Sequence, residues 1–330
     1  MRFRHFSSGL FLLTAVMVLN FSPRLAQAQE TTATPMPTSE PLTLVWQTEF
    51  TPDTMLITPN DIAVDSKGNI FVSTAGIKLI KKFDRDGHFV TNWGQTGGRD
   101  GDFSISSGIA VDAQGNVYIA DFGNIRIQKF DNDGNFLMTW KTESPRGPAS
   151  IVIDPDGNAY VDNFGTHKHY LQKFNSSDGT LISQWGTTGT GDGQFSAAAL
   201  SGPEDIALDA DGNVYVSDRV NHRVQKFDPD GNVLAIFGGV DNDLFKSPLG
   251  LAVDGQGNIY VVDVGSKFLK KLDADGNLIA QWSTDGGNLN QAAIVAVDSQ
   301  GYLYLFANTD TTSPSGDAVT VTLLKKFQQP

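Results

Sequence analysis

A unit of about 45 residues written six times, two glycine turns inside each copy, and an aromatic side chain at a fixed place after the second turn predict an all-β fold. The architecture they imply is a six-bladed β-propeller of four-stranded antiparallel blades, because a four-strand repeat of this length stacks into a ring rather than a coil. The clearest copy runs from Gly108 to Trp140. In it the apolar runs Ile109 to Val111 and Val117 to Ile119 flank a turn at Gly115. The alternating Ile125, Ile127 and Phe130 then lead through a turn at Gly134 to Phe136 and Trp140. Short β-rich runs separated by Gly, Asn and Asp read as a meander of strands a, b, c and d.

The turns justify the hairpins. The a-to-b turn ends in Gly-Asn in five copies, at Gly68, Gly115, Gly157, Gly212 and Gly257, with Gly301 followed by tyrosine in the sixth. The c-to-d turn carries Asp-Gly at Gly87, Gly134, Gly179, Gly231 and Gly276, where glycine supplies the positive φ of a tight turn. From the residue closing strand a to the residue closing strand c is 19 positions in four blades, as from Asp112 to Asp131; the third blade has two more and the sixth eleven more, all between strands b and c.

Strand d carries Trp93, Trp140, Trp185, Phe237 and Trp282 in blades one to five. The sixth copy has no strand d before Pro330, whereas the run Leu44 to Phe50 is strand-like with no a, b or c before it. Trp46 is therefore the expected sixth aromatic. Its strand should pair with Val319 to Phe327 and close the ring, leaving no open seam between the first and last blades.

Ahead of the repeats, Arg2 and Arg4, the apolar run Leu10 to Leu19 and Ala26-Gln27-Ala28 have the three parts of a secretory signal peptide, assigned to residues 1–28. Residues 29–42, rich in Thr and Pro, read as a linker, and 43–330 as the propeller. The expected location is secreted or extracytoplasmic, with no membrane span once the signal is removed. Cysteine is absent, so no disulfide framework or lipid-attachment cysteine exists. Cleavage would remove three arginines and no acid, moving the net charge from −13 to −16. Such a surface argues against nucleic-acid binding.

At the end of strand b, blades two and four share Asp121, Asn124, Arg126 and Phe130 on one side and Asp218, Asn221, His222, Arg223 and Phe227 on the other. With Gly191, Gly193 and Phe195 ahead of a strand a, these segments resemble NHL repeats. The other blades depart from the pattern: Thr74, Asn163 and Ala307 replace the aspartate, and blade five keeps Asp263 without the arginine. What the resemblance implies is a six-bladed propeller used as a protein-binding platform, an RNA-binding surface, a receptor-kinase sensor or, in amidating lyases, an enzyme. Fold alone does not choose among these.

In a meander the a-to-b and c-to-d turns share one face, and the b-to-c and d-to-a connections share the other. The second face holds every irregular insertion, so a site is expected there, among loops such as Gly94 to Ser107, Gly186 to Ser201 and Gly239 to Ser247. The candidate ligand-binding residues on it are Asp121, Arg126, Asn163, Tyr170, Asp218, Arg219, His222 and Asp263. The expected function is an exported, non-enzymatic, monomeric propeller that binds a protein, peptide or carbohydrate, with no cofactor and no catalytic residue assigned. The alternative is a metal-dependent lyase or lactonase centred at the axial mouth of the same face.

Two metal sets serve that alternative. His167 and His169, completed by Asp162 or Asp218, have zinc-ligand chemistry, although solvated loop side chains are the plainer expectation for both. The amidating lyases resembled here hold zinc with three histidines, and only His222 and His88 remain to supply a third. Glu204 and Asp205, with Asn60 and Asp61, offer the oxygen ligands that suit calcium. Asp-x-Asp-Gly at Asp84, Asp131, Asp154, Asp209, Asp228 and Asp273 lacks the distal ligands of a calcium loop and is assigned to turn chemistry. Asp121/Arg126 and Asp218/Arg223 are expected to be ion pairs that fix their loops.

Overall fold

The computed structural model describes residues 39–49, 58–143, 146–163, 169–196, 204–312 and 318–330. The segment read as a signal peptide, most of the expected linker and His167 lie outside them. Blade one comprises Pro59–Val64, Ile70–Thr74, Ile80–Phe83 and Phe89–Trp93, and blade two Ser106–Val111, Val117–Asp121, Arg126–Phe130 and Phe136–Lys141. Blade three comprises Pro148–Ile153, Asn158–Asn163, Tyr170–Asn175 and Leu181–Trp185. Ile206–Leu208, Val214–Asp218, Arg223–Phe227 and Val233–Gly238 make blade four; Pro248–Val253, Ile259–Asp263, Phe268–Leu272 and Leu278–Ser283 make blade five. Each is an antiparallel sheet in the order a, b, c, d.

Blade six takes a, b and c from Val295–Val297, Leu303–Thr312 and Ala318–Gln328, and its fourth strand is Thr43–Glu49. Leu44 lies opposite Phe327 and Glu49 opposite Leu323. Its b-to-c insertion prolongs both strands, and Thr312 still pairs with Ala318.

Strand b is buried on both faces because each blade is sandwiched between two others, which is why it reads as an unbroken apolar run. The cores lie between blades. Tyr118, Ala120 and Trp140 pack on Ile151, Val161 and Phe174 of the next blade. Tyr304, Leu324 and Trp46 of blade six pack on Ile62, Ile70 and Phe83 of blade one, so the last seam is filled like the others.

Trp46 holds its place by a shifted route. It lies opposite Lys326, as Thr91 lies opposite Lys82, two residues short of the register of Trp93. Side chains two apart share a face of a strand, so Trp46 still packs edge-on against Tyr304, with centroids 6.2 Å apart, as Trp93 does against Phe71. It lies under Gly87 as Trp93 lies under Gly134. Its indole also donates to the Arg85 carbonyl at 3.1 Å.

The repeated aspartates close turns. Asp112 Oδ1 accepts from the amides of Gln114 and Asn116 at 2.9 and 2.8 Å, and Oδ2 from the Asn116 side chain at 2.7 Å. Asp131, Asp209, Asp228 and Asp273 repeat the pattern. Their lone pairs are committed to the backbone.

Candidate functional site: the axial mouth

Strand a is the innermost strand, so its first residues from all six blades meet around the axis. Pro59, Asn60, Asp61, Ser107, Ala149, Ser150, Glu204, Asp205, Leu249, Gly250, Ala293 and Ile294 line a cavity of about 340 Å³ there. It continues into an axial channel walled by strand a of every blade. The backbones close up tightly: a Cβ on Gly108 would lie 2.7 Å from Ser150 Cα, and one on Gly250 would lie 2.4 Å from the Ala293 carbonyl oxygen.

The carboxylates of the mouth answer a backbone need. Register shifts between Ser106 and Ile109, Pro148 and Ile151, and Pro248 and Leu251 release amides from the sheet ladder. Asp61 Oδ2 accepts from the Ile109 amide of blade two at 2.9 Å, and Asp205 Oδ2 from the Leu251 amide of blade five at 2.8 Å. Asp205 Oδ1 accepts from its neighbour's amide at 2.8 Å and from Ser150 Oγ of blade three at 3.0 Å. Asp162, on strand b of blade three, accepts from the Ala149 and Ser150 amides through Oδ1. Its Oδ2 is buried and has no hydrogen-bond partner among the described residues.

Crowding raises all four acids. Removal from water and then the Asp205 charge push Asp61 well above the ordinary carboxylate range; removal from water does the same to Asp162. Asp205 is pushed up to about 6 by burial, against the donors that hold it. Burial raises Glu204 too, opposed by Arg219, whose guanidinium is 3.7 Å away.

The candidate residues divide. Asn60, Glu204 and Asp205 do line the mouth, with the Asn60 amide donating to the Ser106 carbonyl at 2.7 Å. Among the described residues, no three His, Asp or Glu side chains are grouped closely enough to hold a metal ion. His169, just ahead of strand c, is fully buried, not solvated as expected. Asp162 stands in the field of Glu204 and Asp205.

Asp121, Arg126, Asp218, Asn163 and Asp263 are buried and engaged inside the protein. Asp218 Oδ2 accepts from Asn221, Arg223 Nε and Gln225 at 2.8, 2.9 and 3.1 Å, while Arg223 also reaches the Gly191 and Gln194 carbonyls. Asp121 and Arg126 make the same clamp onto Arg99 and Asp102. Both loops pass through a short 3-10 turn that ends in a left-handed residue, Ile125 or His222. The motif thus ties each b-to-c loop to the preceding d-to-a loop. In blade five, burial opposes ionisation of Asp263, but the Lys270 ammonium at 2.8 Å and Ser266 hold its carboxyl below the ordinary range. The Asn163 side chain in blade three donates to Gln172 Oε1 at 2.9 Å. Tyr170 donates to the Glu143 carbonyl, and Arg219 Nε to Ser247 Oγ at 2.8 Å.

Sequence reasoning grouped Asp61, Glu204 and Asp205 with Asn60, but set Asp162 with the histidines instead. The available signal was Asp162 itself, a carboxylate in a strand-b slot filled elsewhere by Ser73, Ala120, Ser217, Val262 and Phe306.

The NHL repeat family model matches residues 107–130 and 200–227, in the two blades that carry the complete clamp. NHL repeat-containing protein 3 of Mus musculus is 38% identical over 84 residues, a match that spans 25% of this chain and 22% of that protein. Among solved structures, a catalytically inactive virginiamycin B lyase from Staphylococcus aureus, crystallised with quinupristin, superposes with a TM-score of 0.61 at 11% identity, over 86% of this chain and 99% of that one. A gluconolactonase from Xanthomonas campestris gives 0.58 at 16% identity, over 88% and 99%. At such identities these likenesses speak for the fold alone. With its repeated blades, its two Asp–Asn–Arg clamps and a family match that falls on both, the chain carries NHL repeats within a six-bladed β-propeller.

Proposed function

We propose that the chain is an exported, non-enzymatic propeller that binds a protein or peptide in its axial mouth. The observation that carries this reading is the mouth itself: a concave site fed by all six blades and lined by Asp61, Glu204 and Asp205. A net charge of −13 reinforces the selection of a basic partner over a neutral carbohydrate. Carbohydrate remains the third ligand class to be tested.

Selection of displayed random peptides against the full-length protein tests it. Peptides enriched on the wild type should bind at least about tenfold more weakly, or about 1.4 kcal/mol, when Ser107→Trp fills the mouth. Enrichment indifferent to that substitution refutes the reading. A second reading, a metal-dependent lyase or lactonase, draws support from the raised carboxyl of Asp205 at the mouth, since perturbed acids mark catalytic clefts. Stoichiometric calcium or zinc lost on Glu204→Gln, together with lactone or lyase turnover, would favour it.

A further inference from the structure

We infer that the mouth seats one primary ammonium group of its ligand, a lysine side chain or a peptide amino terminus, between Asp162 of blade three and Glu204 and Asp205 of blade four. This rests on the proposed reading of the mouth as the ligand site.

The buried carboxylates of the b-to-c loops are each matched by a cation from their own blade: Asp121 by Arg126, Asp218 by Arg223, Asp263 by Lys270. Asp162 breaks that rule. It is fully buried, its Oδ1 holds two amides, and its Oδ2 has no donor among the described residues. An unpaired buried carboxylate is costly, and a fold retains one where a partner completes it. Strand alternation puts Asp162 on the same face of strand b as Tyr160, which packs in the seam with blade four. Its carboxyl therefore faces the end of that seam where Glu204 and Asp205 stand, and it feels the charge of both. The cation at hand, Arg219, is 41% exposed and gives its Nε to Ser247. Arg219 thus sets one guanidinium against Asp61, Asp162, Glu204 and Asp205, acids that burial holds toward the neutral form and that a further cation would draw toward ionisation.

The chemistry favours ammonium over a metal ion. Both oxygens of Asp61 and of Asp205 already accept amides, so neither offers a metal ion a free carboxylate. What remains is a set of single lone pairs, suited to three N–H donors on a compact charge. Pro59, Leu249, Ala293 and Ile294 line other parts of the mouth and offer apolar contact for an aliphatic stem.

Calorimetric titration of the full-length protein at pH 7.5 provides the test. The probes are Nα-acetyl-lysine methylamide, its uncharged counterpart Nα-acetyl-norleucine methylamide, alanyl-alanine amide and calcium chloride. The lysine probe should bind at least about tenfold more tightly than the norleucine probe, lose that advantage with Asp162→Asn and with Glu204→Gln, and weaken with added salt. Tighter binding of alanyl-alanine amide, with the same sensitivity to the variants, supports the seat and names the amino terminus as its occupant. Equal binding of the lysine and norleucine probes, binding unchanged in both variants, or calcium binding without either ammonium probe overturns it. Should Asp162→Asn fail to fold, Glu204→Gln decides alone. A selected peptide that is lost with Ser107→Trp but unaffected by Asp162→Asn and Glu204→Gln keeps the mouth as the binding site while refuting the ammonium seat.

Discussion

Replacing Asp218 with alanine should be among the most damaging single changes outside the apolar cores. Its carboxylate is fully buried and takes hydrogen bonds from Arg223, Asn221, Gln225 and the Ser196 amide. Truncation leaves the Arg223 guanidinium, with 6% of its side chain exposed, without its buried counter-ion. Removing one partner of a buried pair costs about 3–5 kcal/mol, and the carbonyls of Gly191 and Gln194 that still hold Arg223 place the expected loss near the middle, about 4 kcal/mol. Asp192 is the internal control. It lies 4.0 Å from the same guanidinium but is 75% exposed, so Asp192→Ala should cost under about 0.5 kcal/mol. Burial raises the Asp218 carboxyl even with Arg223 beside it, which says that the pair repays little of its own desolvation. The double change Asp218→Leu/Arg223→Met should therefore be milder than Asp218→Ala alone. Urea unfolding followed by tryptophan fluorescence measures all three. The reasoning fails if Asp218→Ala lies within about 1 kcal/mol of wild type, or if Asp192→Ala is equally harmful.

Three further outcomes are expected. Trp46→Ala should destabilise the whole ring by about 2–3 kcal/mol, below the cost of a fully buried aromatic because the strand leaves Trp46 half-buried; an unchanged melting curve would contradict ring closure through that strand. Gly134→Ala forces a side chain onto φ +89° with its Cβ 2.6 Å from the Trp93 ring, so a loss of at least about 2 kcal/mol should appear in the urea midpoint. The third concerns pH. Because the folded-state value for Asp205 is raised to about 6, the folded chain holds that proton more tightly than the unfolded one. Its contribution to stability is complete below about pH 4 and is lost as pH rises through about 6. Relative to wild type, Asp205→Asn should gain about 1–2 kcal/mol between pH 4 and 7, allowing for partial exposure; a difference independent of pH in urea titrations would refute the shift.

Particular residues mark how far sequence reasoning reaches. Gly115, Gly134 and their counterparts disclosed the hairpins because only glycine tolerates those backbone angles, and Asp112 and Asp131 accompanied them because a carboxylate caps such a turn. Trp46 was legible as the missing aromatic, but not its register, since faces repeat every two residues and a two-residue slip preserves the pattern. Asp121 and Asp218 were legible as partners of Arg126 and Arg223, but not as buried, because burial depends on the loops folded over them. His169 lies in a segment whose loop-like composition predicts a solvated side chain, yet it is fully buried, because burial depends on what packs over a residue and not on its neighbours in sequence.

The sequence by itself determined the ring: six copies of one pattern, each with its turns and strand periodicity, leave a chain of this length few other ways to bury its apolar strands. Only the tertiary structure decided how the acids of the mouth are held and that Asp162 stands among them. Asp61, Asp162, Glu204 and Asp205 are separated by up to 144 positions, and each looks ordinary in its own copy. They meet because strand a of every blade faces the axis and because released amides in blades two, three and five need acceptors from their surroundings. Their concentrated charge is a property of the closed ring, created when separate solvated carboxylates are drawn out of water into one another's field.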